Sequence, residues 1–283
     1  VVLNDTEQLV SNLSWPNSLS NFLSQMPSLM FDASSNVVVP ADQPFRYLKQ
    51  FNSVEFAKKA SCRDRLRQSD TRWFPGDYLS SVFARELCER RAVPLKEVLE
   101  SFEFFACVRN RIRCQSVADL CCGHGLVGIL FAMFERDIEQ VSLLDRVRPK
   151  SFDLVLDAAQ AVAPWTQAKI TYVEAPLSQT LRHVESGTAI LGVHACGTRT
   201  DQCIEHAISL RSPIALLPCC RRHRLHPSPE CLKNVFGADV AIDVDRTYRM
   251  HAAGYHVRWD QIPPSITEMN RVLIGRPLPP TEA

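Results

Sequence analysis

Asp119-Leu-Cys-Cys-Gly-His-Gly-Leu-Val-Gly128 is the stretch that decides the fold. Val117-Ala-Asp-Leu120 reads as a short apolar strand, and Leu126 to Arg136 reads as a helix. Gly123, Gly125 and Gly128 therefore fall where a strand turns into a helix. Glycines there let the backbone turn tightly and approach a ligand, and the helix start offers unpaired N–H groups. A plain connecting turn is the simpler alternative. The strand-helix-strand context favours a ligand-binding loop.

Working outward, short apolar strands and helices alternate from residue 116 onward, the sign of a parallel α/β sheet. Strands are expected at 117–120, 141–145, 170–173, 189–194, 214–217, 255–259 and 271–274. Helices are expected at 126–136, 149–163, 177–184, 200–210 and 243–253. Upstream, Val82, Leu87, Leu95, Val98, Leu99, Phe102 and Phe105 recur at three- and four-residue steps, as amphipathic helices require, with Pro94 opening a helix. Four segments follow: a Ser/Asn/Pro-rich arm at 1–44, a mainly helical extension at 45–114, an α/β domain at 115–276 and a tail at 277–283.

The 283 residues carry a formal net charge of +1, so any contact with nucleic acid must come from a local patch. The longest apolar run, Val127 to Phe134, is far below a membrane span, and no membrane partner is expected. The first residues lack a secretory signal pattern. Eleven cysteines without disulfide-scaffold spacing fit reduced thiols, and a cytoplasmic location is expected.

Gly-x-Gly-x-x-Gly spacing alone also fits a dinucleotide enzyme. Asp119 argues otherwise, because a carboxylate beside the loop would repel a pyrophosphate and attract a sulfonium cofactor carrying an α-ammonium. The run Asp119 to Gly125 resembles motif I of class I S-adenosylmethionine-dependent methyltransferases. It is most similar to a subgroup with His-x-Cys-Gly after strand four and Pro-Cys-Cys after strand five, here His194-Ala-Cys-Gly197 and Pro218-Cys-Cys220. The last strand, Asn270 to Gly275, also resembles that subgroup, and the likeness covers about 116 to 275. Cys121 departs from it by standing where the family has its first glycine.

The resemblance implies a Rossmann-like methyltransferase sheet flanked by helices, with S-adenosylmethionine as cofactor. It places Asp119 near the methionine end, Cys121, Gly123 and Gly125 in the loop, Asp145 on the ribose hydroxyls, and Ala175 and Pro176 beside the adenine.

In that fold strands one, four and five are neighbours, so Cys121, Cys122, His194, Cys196, Cys219 and Cys220 converge on one rim. Three readings compete for them. The thiols pack under the cofactor; or His194, Cys196, Cys219 and Cys220 face the methyl acceptor; or Cys220-x-x-His223-x-x-His226 holds a metal. That last spacing lacks paired Cys-x-x-Cys half-sites, and no metal is expected. His194 is the leading general-base candidate, with a packing role open beside it.

Arg221, Arg222 and Arg224 follow strand five and are expected to border the acceptor cleft. Residues 58 to 72 hold six Lys/Arg, followed by Trp73-Phe74. Basic groups track phosphates and aromatics stack on bases, so RNA is the first expected acceptor; a solvated helix face is the alternative. Two rivals stand beside the methyltransferase: a dinucleotide-dependent oxidoreductase, and a non-catalytic binding module of the same fold.

Overall fold

A computed structural model describes residues 43–218 and 228–279. The N-terminal extension forms α1 (Val54–Ala57), α2 (Leu79–Glu89) and α3 (Leu95–Val108). Pro94 sits at the N-cap of α3 with ψ 149°, one residue earlier than a first-turn position. The apolar stripe Leu95, Val98, Leu99, Phe102 and Phe105 is buried, and so are Glu100 and Glu103 beside it. Glu103 answers for its burial by accepting the backbone N–H of Arg46 at 2.9 Å and of Tyr47 at 3.0 Å.

The remaining chain runs β1 (Ser116–Leu120), α4 (Leu126–Phe134), β2 (Gln140–Asp145), α5 (Lys150–Val162), β3 (Ile170–Glu174), β4 (Ala189–Gly192) and α6 (Thr198–Leu210). It continues through β5 (Ile214–Leu216), α7 (Glu230–Phe236), α8 (Ala238–Ala252), β6 (Tyr255–Gln261) and β7 (Arg271–Pro277). The sheet order is β3-β2-β1-β4-β5-β7-β6. Strands β1 to β5 are parallel, and β7 enters antiparallel between β5 and β6. This is the α/β sheet flanked by helices that the sequence pattern predicts, with the Rossmann-like arrangement that the resemblance implies.

Alternation along the strands divides the core in two. Val117, Val141, Leu143, Ala189 and Leu191 pack with α2 to α5 on one face. Ala118, Leu120, Leu144, Ile190 and Leu216 pack with Ile204 and Ala207 of α6 and Met250 of α8 on the other. Helix α4 is apolar all round, and its eight residues from Leu126 to Met133 are buried.

Some boundaries differ from expectation. Strand β4 stops at Gly192, because the chain then tightens into a turn in which Cys196 N–H donates to His194 O at 2.8 Å. Leu177–Arg182 winds as a 3-10 turn. Helix α8 begins at Ala238, ahead of the expected Asp243, and α7 precedes it; Gly237 at φ 77° separates the two. Among the described residues no helix is long and apolar enough to cross a membrane.

An ion network ties the second face together. Arg246 of α8, 1% exposed, donates to Asp201 of α6 at 2.9 and 3.1 Å and lies 3.5 Å from Asp243. Arg271 of β7 reaches the same Asp243 at 2.9 Å.

Candidate active site

The strand order reverses direction between β1 and β4, where ligands of open α/β sheets bind beyond the strand ends. Asp119, one residue before the end of β1, is 3% exposed and accepts the Gly128 N–H at 3.1 Å. Burial pushes its carboxyl up to about 7, against the Gly128 hydrogen bond and with help from the charge of Asp145. After β1 the chain enters left-handed backbone at Cys121 (φ 56°), Gly123 (φ 53°) and Gly125 (φ 72°). Such angles suit glycine and cost a side chain of order 1 kcal/mol. Cys121 therefore stands at a position whose backbone favours glycine.

The glycines differ in what surrounds them. A Cβ on Gly125 would lie 2.7 Å from Leu143 Cδ1, and one on Gly128 2.4 Å from Leu143 Cδ2. Both let α4 press onto β2. A Cβ on Gly123 would meet nothing within 4 Å, so the loop presents bare backbone to open space there.

Asp145, ending β2, closes on this loop. Its Oδ2 accepts the Gly123 N–H at 2.8 Å and its Oδ1 the Arg146 N–H at 2.6 Å. A carboxylate has four acceptor sites, so two remain for a diol. Ala175 N–H donates to Asp145 O at 2.9 Å, which sets buried Ala175 and exposed Pro176 beside it. The open Gly123 backbone and the Asp145 carboxylate thus fit a ribose-bearing ligand. Tyr172 of β3, absent from the sequence expectation, braces the loop: its hydroxyl donates to Gly123 O at 3.1 Å. Arg148 stacks 4.6 Å over Phe152, whose ring lies 4.5 Å from that of Tyr172.

The other wall comes from α3. His124 Nδ1 accepts the Leu126 N–H at 3.3 Å, which leaves Nε2 to donate to Glu97 Oε2 at 2.7 Å. Burial alone would raise Glu97, but the hydrogen bond to His124 and the electrostatic influence of His124, His194 and Lys96 together hold it below the usual range. Glu100, with a fully buried side chain, pairs through Oε1 with Lys96. His194, just past β4, places Nε2 4.0 Å from Glu100 Oε2. Desolvation lowers its pKa, opposed by Glu100 and Glu97 and reinforced by His124 and Lys96. Its side chain is 35% exposed as a whole, but Nε2 itself is buried.

Asp119, Cys121, Gly123, Gly125, Asp145 and Ala175 thus gather around one loop, and Tyr172 joins them. His194 belongs to the α3 wall with Glu97 and Glu100, which the sequence reading missed. Cys121 is raised to about 11 by burial first and then by Asp145, with Asp119 and Cys196 adding and Arg199 opposing. It is a thiol at neutral pH, suited to packing. The loop carrying Cys196 is held by Arg246 Nη2, which lies 3.4 Å from Gly197 O. Cys219, Cys220, Arg221, Arg222 and Arg224, with His223 and His226, lie outside the described residues. Among the described residues no three His, Cys, Asp or Glu side chains form a group able to hold a metal.

Residues 94–226 match the family model of a methyltransferase domain, a span that begins at the cap of α3. A curated relative, the glutathione S-transferase C-terminal domain-containing protein of Xenopus laevis, is 30% identical over 105 residues. That likeness covers 37% of this chain and 16% of the relative. Among solved structures, the chain is similar to the methyltransferase domain of bacterial CtHen1, at 17% identity and TM-score 0.39 over 60% of this chain and 94% of that one. It is also similar to the fibrillarin pre-rRNA processing protein of Methanococcus jannaschii, at 14% identity and TM-score 0.40 over 58% of this chain and 67% of that one. What the sequence carries from α3 to the residues after β5 is, by its family match, similar to a methyltransferase domain.

Proposed function

We propose that the protein is an S-adenosylmethionine-dependent methyltransferase. The observation that carries this reading is the open backbone of Gly123 set against Asp145 at the end of β2, beside the β1/β4 reversal. When bound, S-adenosylmethionine supplies a methyl group on a sulfonium sulfur. In this chain Asp145 would accept the ribose hydroxyls, Ala175 and Pro176 would flank the adenine, and Asp119 would face the methionine end. His194, neutral at rest because its ring nitrogen is buried, is the group able to take a proton from the acceptor.

The dinucleotide alternative loses support from α4 itself. A pyrophosphate would need the free N–H groups at the helix start. Leu126 N–H is already given to His124 and Gly128 N–H to Asp119.

RNA as acceptor rests on the basic segments. Lys58, Arg63, Arg67 and Arg72 stand exposed. Of the aromatics beside them, Phe74 is fully buried and Trp73 lies under Lys59 at 4.8 Å, which favours packing over base stacking there.

Thermal melting with S-adenosylmethionine, S-adenosylhomocysteine and NAD(H) tests the reading, since a ligand bound only by the folded state stabilises it. Either sulfur cofactor should raise the melting temperature, and Asp145→Ala should weaken the effect. A shift with NAD(H) alone would refute it. Binding of RNA across a salt series then separates an RNA acceptor from a protein or small-molecule one.

A further inference from the structure

Helix α3 brings two carboxylates and one ammonium to the end of the sheet, and one of those carboxylates is left incomplete. Glu100 Oε1 is paired with Lys96, whereas Oε2 is buried and has no hydrogen-bond partner. The atom it faces, His194 Nε2 at 4.0 Å, is also buried and without a partner. That separation is too long for a direct hydrogen bond. It is short enough for one donor group about 2.9 Å from each to bridge them. Buried polar atoms in folded proteins are seldom left unsatisfied, least of all a carboxylate oxygen, so the pair marks a place where a guest belongs.

The chemistry of the walls selects that guest. Oε2 of Glu100 accepts only. A base at His194 Nε2 also accepts, so the bridging group must carry two donors on one atom, as water, an amine or an ammonium does, and the charge of the walls decides among these. The described wall holds Glu97 and Glu100 against Lys96 alone, with His124 donating to Glu97. A cationic nitrogen is attracted there and a phosphate or carboxylate is repelled.

We infer that Glu100 Oε2 and His194 Nε2 seat the nitrogen of a basic methyl acceptor, an amine or a guanidine. The inference rests on the methyl-transfer reading above. The seated cation has no free electron pair, so it first gives one proton to His194 Nε2. The pair so freed forms the new N–C bond as the S–C bond breaks, the S–C electrons stay on sulfur as a neutral thioether, and the methylated nitrogen keeps its remaining proton and leaves as a cation. Glu100 holds the imidazolium that results.

The test uses the full chain carrying 13C-ε1-labelled histidine, saturated with S-adenosylhomocysteine and followed by NMR. Methylammonium, methylguanidinium and inorganic phosphate are the probes. Both cations should shift the His194 ring signal and phosphate should not. Glu100→Gln should weaken the cations about tenfold or more, as loss of a hydrogen bond to a charged group does. Lys96→Gln removes the competing cation from Glu100 and should tighten them, a direction that loss of folding cannot mimic. A His194 signal unmoved by the cations, equal affinity in Glu100→Gln, or a preference for phosphate would overturn the inference. Cation binding at Glu100 in a protein with no affinity for S-adenosylhomocysteine would instead overturn the methyl-transfer reading and keep the seat.

Discussion

If Asp119 faces the ammonium of the cofactor, cofactor affinity must depend on pH in a way the structure fixes. Burial lifts this carboxyl from 3.8 to about 7 in the protein itself. Only its ionised fraction can receive the ammonium, and apparent affinity scales with that competent fraction. For a group at about 7, the ionised fraction is roughly 0.09 at about pH 6 and roughly 0.76 at about pH 7.5. Affinity for S-adenosylhomocysteine should therefore rise about eightfold over that interval, equal to roughly 1.2 kcal/mol. At about pH 6, binding should release roughly 0.9 proton per site. Calorimetric titrations in two buffers of different ionisation enthalpy measure both quantities. Asp119→Asn should flatten the profile, since it removes the titrating proton. Without ligand the sign reverses: between 3.8 and about 7 the folded state holds a proton that the unfolded state has lost, so this group's contribution to stability falls as pH rises. A flat affinity between these pH values, or a slope that survives in Asp119→Asn, would refute the reasoning.

Three further outcomes are expected. Gly125→Ala combines left-handed backbone with a Cβ 2.7 Å from Leu143 Cδ1. It should cost roughly 2–5 kcal/mol in denaturant unfolding; a change under about 1 kcal/mol would contradict the packing described. Cys121→Gly relieves strain at φ 56° but loosens the unfolded chain by a similar amount, so stability should stay within about 0.5 kcal/mol. A large fall in melting temperature would give the thiol a packing role greater than its position suggests. Arg246→Met strips one cation from fully buried Asp243 and should destabilise by roughly 3–5 kcal/mol; an unchanged melting temperature would mean that Arg271 alone satisfies that carboxylate.

The sheet was legible because each strand is a short apolar run bounded by turn residues, and because the Gly123 loop keeps its whole signal within ten residues. Asp119 and Asp145 were legible for the same reason: each sits at a strand end that the pattern locates. Glu97 and Glu100 were not. An amphipathic reading of α3 counts its apolar stripe and assigns the acidic residues to solvent, yet this helix is covered nearly all round. Its partners lie far along the chain, with His124 removed from Glu97 by 27 residues. Tyr172 was hidden likewise, since its hydroxyl reaches a carbonyl 49 residues away. In the sequence Glu100 shares a helix face with Lys96, Glu97 and Glu103, which disguises its burial as an ordinary polar stripe. The early start of α8 escaped notice because Gly237 both ends one helix and caps the next, with no side-chain cap to mark the new start.

Glu103 gives the chain a seam with a practical meaning for exchanging parts between proteins. Its carboxylate gathers the backbone of Arg46 and Tyr47, while the Arg46 guanidinium reaches Asp260 at 2.7 Å on the outermost strand, β6. The first described turn of the chain is thereby stitched to the last hairpin, across α3. A fragment cut at residue 115 would shed α3 and Glu97, uncover Leu130 and Phe131 of α4, and leave His124 without its anchor. Such a fragment would expose an apolar face prone to self-association. A transplantable piece must therefore reach back at least to Arg46, and a chimera that swaps only the strands and their helices inherits a loop with one wall missing.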